Sequence, residues 1–236
     1  MARAREGSLV AFFLLTYIGT WATWISAWLL SGGAESARYP GPGIPTMLFY
    51  LGVFAPAFVA VALTARHEGR SGVGALLGRL IQWRAGLGWY VFALTYMAAI
   101  KLTAAMIHRL ATGEWPRFGD EPLYLMVAAT IGSTVLFGQA GEEVGWRGYA
   151  LPRLAARFGL AGASVMLGII WASWHLPLFF IPGIETTGQS FPLYLIGVTA
   201  LCPEGVAARL ADASLLWICA GFFLFRMRAQ FGRQRR

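Results

Sequence analysis

The stretch GQAGEEVGWRGYALPRL, residues 138–154, places two adjacent glutamates at the end of a long apolar run. Glu142 and Glu143 come just after residues 122–140, which contain no charged side chain, and Arg147 follows four residues after Glu143. A carboxylate in apolar surroundings is costly unless it is paired. The stretch therefore predicts either the charged end of a helix or a site in which buried charge has a purpose.

The composition of the whole chain is that of a membrane protein. Of its 236 residues, 57% are hydrophobic and 13% are charged, about half the charged share of an ordinary soluble domain. No polar linker, internal repeat or low-complexity tract divides the sequence. We therefore expect one membrane domain over residues 1–236.

Apolar runs long enough to cross a bilayer recur along the chain. Crossing the hydrocarbon core takes about 20 helical residues, and five runs meet or approach that length: 8–30, 46–65, 87–107, 122–140 and 160–180. Two shorter runs follow, at 190–202 and 213–225. We expect an all-α, polytopic transmembrane bundle with about six membrane helices.

The positive charges are distributed as in a membrane protein with a cytoplasmic amino end. Of its 19 basic residues, two lie before the first run, four between the second and third, three between the fourth and fifth, and five after residue 225. Cytoplasmic loops are enriched in Lys and Arg, so we expect a multi-pass protein of the cell membrane with its amino end in the cytoplasm. No basic module with interleaved aromatic residues is visible, so the expected partners are membrane lipids and not nucleic acid.

Helical geometry separates the roles of the two glutamates. Glu143 and Arg147 have the i, i+4 spacing at which a guanidinium pairs with a carboxylate. Glu142 lies about 100° away around the same helix. One carboxylate is then neutralised locally while the other points inward, where it is suited to act as a general base.

The next apolar run carries a histidine, His175, within IIWASWHLPLFF at residues 169–180. Pro177 is expected to end or kink the helix just beyond it, and polar groups at membrane depth face the bundle interior or a wet cavity. We expect the side chains of Glu142 and His175 to approach within about 4–7 Å, a gap that one water or ion bridges. Either feature alone is typical of helix-end charge, but the two together favour a chemical site.

These two motifs resemble those of the CPBP family of intramembrane proteases, which includes the CAAX proteases and the bacteriocin-processing, Abi-type enzymes. The first family motif, Glu-Glu-x-x-x-Arg, matches Glu142, Glu143 and Arg147. The second, an aromatic residue followed four positions later by His, matches Trp171 and His175, with Trp in place of the commoner Phe. The resemblance implies a helical membrane bundle that cleaves peptide bonds.

The resemblance also implies roles for the motif residues within a protease core at residues 122–200. Glu142 and His175 are implied to activate a water for peptide hydrolysis, with Glu143 and Arg147 supporting them. The implied partner is a peptide or protein substrate, with prenylated ones included. A metalloprotease with a divalent metal such as zinc stays open at this point, since one His and two Glu do not make an evident closed three-ligand site.

The carboxyl end departs from the family pattern. The family carries a third motif, His-x-x-x-Asn or His-x-x-x-Asp, understood to stabilise the oxyanion, whereas here no His follows His175 and the chain has no Asn. Residues 201–236 are therefore predicted to be an atypical C-terminal segment. The departure implies reduced peptidase activity.

Three functions are compatible with these residues. The first is an intramembrane endopeptidase. The second is a non-catalytic family member that binds at the membrane without turnover. The third is a small transporter with Glu142 and His175 as a proton relay, although such transporters usually show internal repeats and this sequence has none.

Overall fold

The computed structural model describes residues 2–33, 42–79, 87–115, 139–184, 186 and 189–201. Every regular element among them is a helix, which confirms the predicted all-α class. The first three helices are α1 (Ala2–Leu30), α2 (Ile44–Gly78) and α3 (Leu87–Thr112). The rest are α4 (Gln139–Glu143), a π-helix (Val144–Ala150), α5 (Leu151–Trp174), a 3₁₀-helix (Leu176–Phe179) and α6 (Phe191–Leu201).

Three stretches of the described chain are helical, long and apolar enough to cross a membrane. They are Leu9–Leu30, Ile44–Gly78 and Gly141–Trp174. The first two coincide with predicted runs, and α3 covers a third predicted run. The described part of the chain thus agrees with a helical membrane bundle.

The third stretch differs from the prediction at its start. The sequence placed the motif between two separate spans, whereas α4, the π-helix and α5 follow one another without a gap. The chain turns only at Gly159, where φ is 69° and ψ is 170°, a conformation that glycine adopts easily. The helix of residues 160–174 therefore begins where the fifth run was predicted to begin. Residues 122–138 of the fourth run, and the run at 213–225, lie outside the described residues.

Helices α1 and α2 form the most extensive pair, and the motif helices pack on α2. Helix α2 contacts both α4 and the π-helix, and α5 contacts the π-helix and α6. This packing requires glycine in the motif. A Cβ on Gly145 would come closer than 3.0 Å to the side chain and carbonyl of Pro56, and one on Gly141 would meet the Phe54 ring. The glycines that flank the two glutamates thus allow their helix to lie directly against α2.

The core at which these helices meet is aromatic. The ring centroids of Phe12 and Trp146 are 5.5 Å apart, and those of Trp24 and Trp174 are 4.8 Å apart. Each of these four side chains is at most 1% exposed. Large interlocking rings bury much apolar area and fix the relative positions of the helices that carry them.

A proline inside α2 leaves one backbone carbonyl without its helical donor, and a side chain of α1 supplies another donor. Pro56 has no N–H to donate to the carbonyl four residues earlier, which belongs to Gly52. Thr20 Oγ1 of α1 donates to that carbonyl at 2.8 Å. The carbonyl that loses its hydrogen bond within α2 therefore forms one between α1 and α2.

The π-helix next to the glutamates is accompanied by a similar arrangement. Pro152 cannot donate to the Gly148 carbonyl, and its ring crowds that carbonyl in a regular α-helix. A wider π turn accommodates the ring, and Arg79 Nη1 donates to the Gly148 carbonyl at 2.6 Å. The carboxyl end of α2 is thus tied to the helix that carries the motif.

We predict that Thr20→Val destabilises the protein, because it leaves the buried Gly52 carbonyl without this donor. Such a loss costs about 1–3 kcal/mol. Thr16→Val is the matched control, since Thr16 is fully buried one turn earlier on α1 and its hydroxyl has no hydrogen-bond partner among the described residues. Thermal unfolding in detergent should show a lower midpoint for Thr20→Val than for Thr16→Val. Equal midpoints would contradict the stabilising role of the Thr20 bond.

Candidate active site

All four predicted site residues are buried. Each side chain is at most 7% exposed: Glu142, Glu143, Arg147 and His175. Charged side chains are rarely so buried unless they are paired. The other two histidines, His67 and His108, are exposed, so burial separates the motif histidine from the rest.

Glu143 and Arg147 form the ion pair that their spacing predicted. Arg147 Nη1 donates to Glu143 Oε1 one turn earlier. The second oxygen of this carboxylate, Oε2, is buried and has no hydrogen-bond partner among the residues that the structure describes. Buried acceptors are almost always satisfied in folded proteins. This oxygen is therefore a position at which a water or a ligand N–H is expected.

The indole of Trp171 contacts three of the four predicted residues. Its Nε1–H donates to Glu142 Oε2 at 3.0 Å. Arg147 Cζ lies 5.7 Å from the centre of the indole ring, within reach of a cation–π interaction. The indole and the His175 imidazole meet edge to face, with centroids 4.9 Å apart. The two sequence motifs are thus brought together around one side chain.

His175 lies where α5 ends, and the helix end orients its imidazole. Its backbone N–H donates to the Ala172 carbonyl, while its ring Nδ1 lies 2.9 Å from the Trp171 carbonyl. Since a carbonyl only accepts hydrogen bonds, Nδ1 carries the proton and Nε2 carries the lone pair. The imidazole therefore presents a basic nitrogen on the side away from its own helix.

Side chains of α1 bind other carbonyls at the same helix end. The Tyr17 hydroxyl donates to the Ile170 carbonyl at 2.5 Å, and Trp21 Nε1 donates to the Trp174 carbonyl at 2.9 Å. The Trp174 carbonyl is at the last residue of α5 and has no donor within the helix. Helix α1 supplies that donor and a second hydrogen bond one turn earlier, at Ile170, so it fixes the position of the segment that carries His175.

Aromatic rings from three helices surround the imidazole. The centroids of Trp24, Trp174 and Tyr194 lie 6.3, 4.7 and 5.8 Å from that of His175. These rings belong to α1, α5 and α6. The surrounding rings restrict the imidazole to one orientation.

The site includes residues that the sequence did not identify. Trp171 was recognised as the motif aromatic but not as a hydrogen-bond donor, and nothing in the sequence singled out Tyr17 or Trp21. Two features of the sequence could have pointed to these residues. Trp171 is placed four residues before the histidine, and Pro177 indicates a helix end with unpaired carbonyls nearby.

The side chains of the site do not make up a closed zinc site. In the part of the chain that the structure describes, no three His, Cys, Asp or Glu side chains are grouped so as to hold a metal ion. Glu142 and His175 are suitable donors, but Glu143 is paired with Arg147. A catalytic zinc usually has three protein ligands, of which Glu142 and His175 would supply two here.

Glu143→Gln is predicted to destabilise the protein more than Glu142→Gln. The first change removes the carboxylate with which the buried Arg147 guanidinium pairs, and breaking a buried ion pair costs about 3–5 kcal/mol. The second keeps an amide oxygen that still accepts from Trp171 Nε1. The measurement is the thermal unfolding midpoint of each purified variant in detergent. Equal losses for the two variants would show that the carboxylates do not divide their roles in this way.

The chain resembles known membrane proteases over most of its length. Residues 121–229, which include both motifs, match the model of the Rce1-like family of type II CAAX prenyl endopeptidases. A protein of Methanococcus maripaludis named CAAX prenyl protease 2 is 25% identical over 214 residues, which cover 88% of this chain and 74% of that protein. The family match runs past Leu201 into residues outside the described structure, and the atypical ending stays a prediction. The resemblance inferred from the two motifs is thereby confirmed, and the chain is similar to the Rce1-like CAAX prenyl endopeptidases.

Proposed function

We propose that this protein is a membrane endopeptidase in which Glu142 and His175 activate a water molecule for attack on a peptide bond. The observation that carries the proposal is that both side chains are buried and anchored to Trp171, one by its indole N–H and the other by its carbonyl. The similarity to CAAX prenyl endopeptidases supports the peptidase class.

Glu142 acts as the general base in this mechanism. A water between the two side chains donates one hydrogen bond to the Glu142 carboxylate and the other to the His175 Nε2 lone pair. The water oxygen then attacks the scissile carbonyl carbon as the carboxylate takes the proton. Glu142 passes that proton to the amine that leaves, so the carboxylate is regenerated.

Glu143 and Arg147 support this chemistry. Their ion pair supplies the counter-charge that allows two adjacent glutamates to be buried together. Glu143 Oε2, which lacks a donor among the described residues, is proposed to accept an N–H of the bound peptide. The substrate backbone would then lie beside the motif helix.

The proposed substrate is a peptide or protein segment presented at the membrane. The name of the Methanococcus maripaludis relative favours a prenylated segment, and a lipid chain contributes roughly 0.8 kcal/mol of membrane affinity per buried CH₂. We further propose a multi-pass arrangement in the cell membrane with the amino end in the cytoplasm, supported by the distribution of Arg residues.

Purified full-length protein in liposomes should cleave at least one member of a panel of prenylated CAAX-type peptides, their unprenylated counterparts and leader-type peptides. Glu142→Gln and His175→Ala should each lower turnover on the order of 10²–10⁴-fold, because each removes a group that handles the proton or the water. His67→Ala, at an exposed histidine, serves as the control and should retain full turnover. Products are identified by mass spectrometry.

The same preparations separate the alternatives. Turnover that survives Glu142→Gln would exclude Glu142 as the base. Peptide binding without cleavage would favour the non-catalytic family member, and proton-coupled uptake that Glu142→Gln abolishes would favour the transporter.

We predict that the missing third motif lowers the rate at which this protein hydrolyses peptides. Losing an oxyanion donor costs on the order of 10²–10³ in rate, so replacing residues 201–236 by a family-type ending with His-x-x-x-Asn should raise turnover by about that factor. The matched control is the same chimera with Ala in place of that His. Comparable turnover by the chain as it stands and by the chimera would mean that the site works without the third motif.

A further inference from the structure

The two glutamates and the arginine of the first motif allow two different pairings. A guanidinium has five N–H donors and is able to bridge two carboxylates. The structure pairs Arg147 with Glu143, while Glu142 Oε2 accepts from Trp171 Nε1. If Glu142 turned to the guanidinium as well, its oxygens would be engaged by Arg147 and less available to a water.

We propose that Trp171 is a positioning residue that keeps Glu142 in the orientation required of a base. The indole N–H holds one oxygen of Glu142, while the centre of the ring lies 5.7 Å from the Arg147 guanidinium carbon. The inference rests on the function proposed above, since it assigns a cause to the orientation of the proposed base.

Among the aromatic residues considered at this motif position, Trp supplies this N–H donor and Phe does not. Phe, the commoner residue at this motif position, has a similar face for Arg147 and a similar edge for His175, but no N–H. A hydrogen bond to an ionised carboxylate is stronger than one between neutral groups. Trp171 is 8% exposed, so little water competes for this bond.

Trp146 gives an internal comparison. It is 1% exposed, and its Nε1 is buried without a hydrogen-bond partner in the part of the chain that the structure describes. A buried indole in this bundle therefore does not find an acceptor by default. Trp146→Phe removes the same ring atoms as Trp171→Phe but no hydrogen bond, which makes it the matched control.

The first test compares the kinetics of the two Trp→Phe variants on a peptide that the wild-type chain cleaves. Trp171→Phe should lower kcat by about tenfold or more, the range expected for a hydrogen bond to a charged group, with KM changed by less than about twofold. Trp146→Phe should keep the wild-type kcat. A Trp171→Phe variant with the kcat of Trp146→Phe would overturn the proposal, as would a change confined to KM.

The second test does not depend on activity. Thermal unfolding is measured for Trp171→Phe, Glu142→Met and the double variant, because Met resembles Glu in shape but lacks the acceptor. The double variant should lose less stability than the sum of the single changes, because each single change already breaks the bond that the two residues share. Additive losses in the Trp171 cycle would overturn the proposal. A wild-type chain that cleaves no peptide would refute the proposed function. The stability cycle would still show whether Trp171 and Glu142 are coupled by a hydrogen bond.

Discussion

Two carboxylates and a guanidinium are buried within two turns of one helix, and the structure around them follows from the need to keep these charges satisfied. Glu143 and Arg147 satisfy each other in part, and Glu142 is satisfied in part by Trp171. The partners of a buried charge come largely from the protein and from individually bound waters, because bulk water is excluded there. The close packing of Gly141 and Gly145 on α2 contributes to that exclusion.

Backbone carbonyls impose a second constraint on the same bundle. Each unpaired carbonyl in a membrane costs several kcal/mol, and Pro56 and Pro152 each leave one without its helical donor. The donors are Thr20 of α1 and Arg79 at the end of α2. Helix irregularities in this protein are therefore points of attachment between helices, and those near the motif restrict its position.

These constraints bring a carboxylate and an imidazole, both anchored to Trp171, into one buried site, with rings from three helices around the imidazole. Under the proposed function these two groups share a water. The similarity to CAAX prenyl endopeptidases is consistent with this use of the residues. A peptide would enter surroundings in which electrostatic interactions are stronger than in water.

The sequence by itself determined the helical class, the positions of the first two described spans, and the pairing of Glu143 with Arg147. These features depend on apolar runs and on i, i+4 spacing, which are local along the chain. The sequence also predicted that His175 faces the bundle interior, and its side chain is buried.

Only the tertiary structure decided how the site is held together. The bond from Trp171 to Glu142 joins residues 29 positions apart, and that from Tyr17 to Ile170 joins residues 153 positions apart. No local pattern encodes which donor meets which acceptor over such distances, because the choice depends on how helices pack. The π-helix beside the glutamates also depends in part on tertiary structure. Pro152 predicts a disturbed turn from the sequence alone, but the packing of α2 decides that Arg79 donates to the freed Gly148 carbonyl.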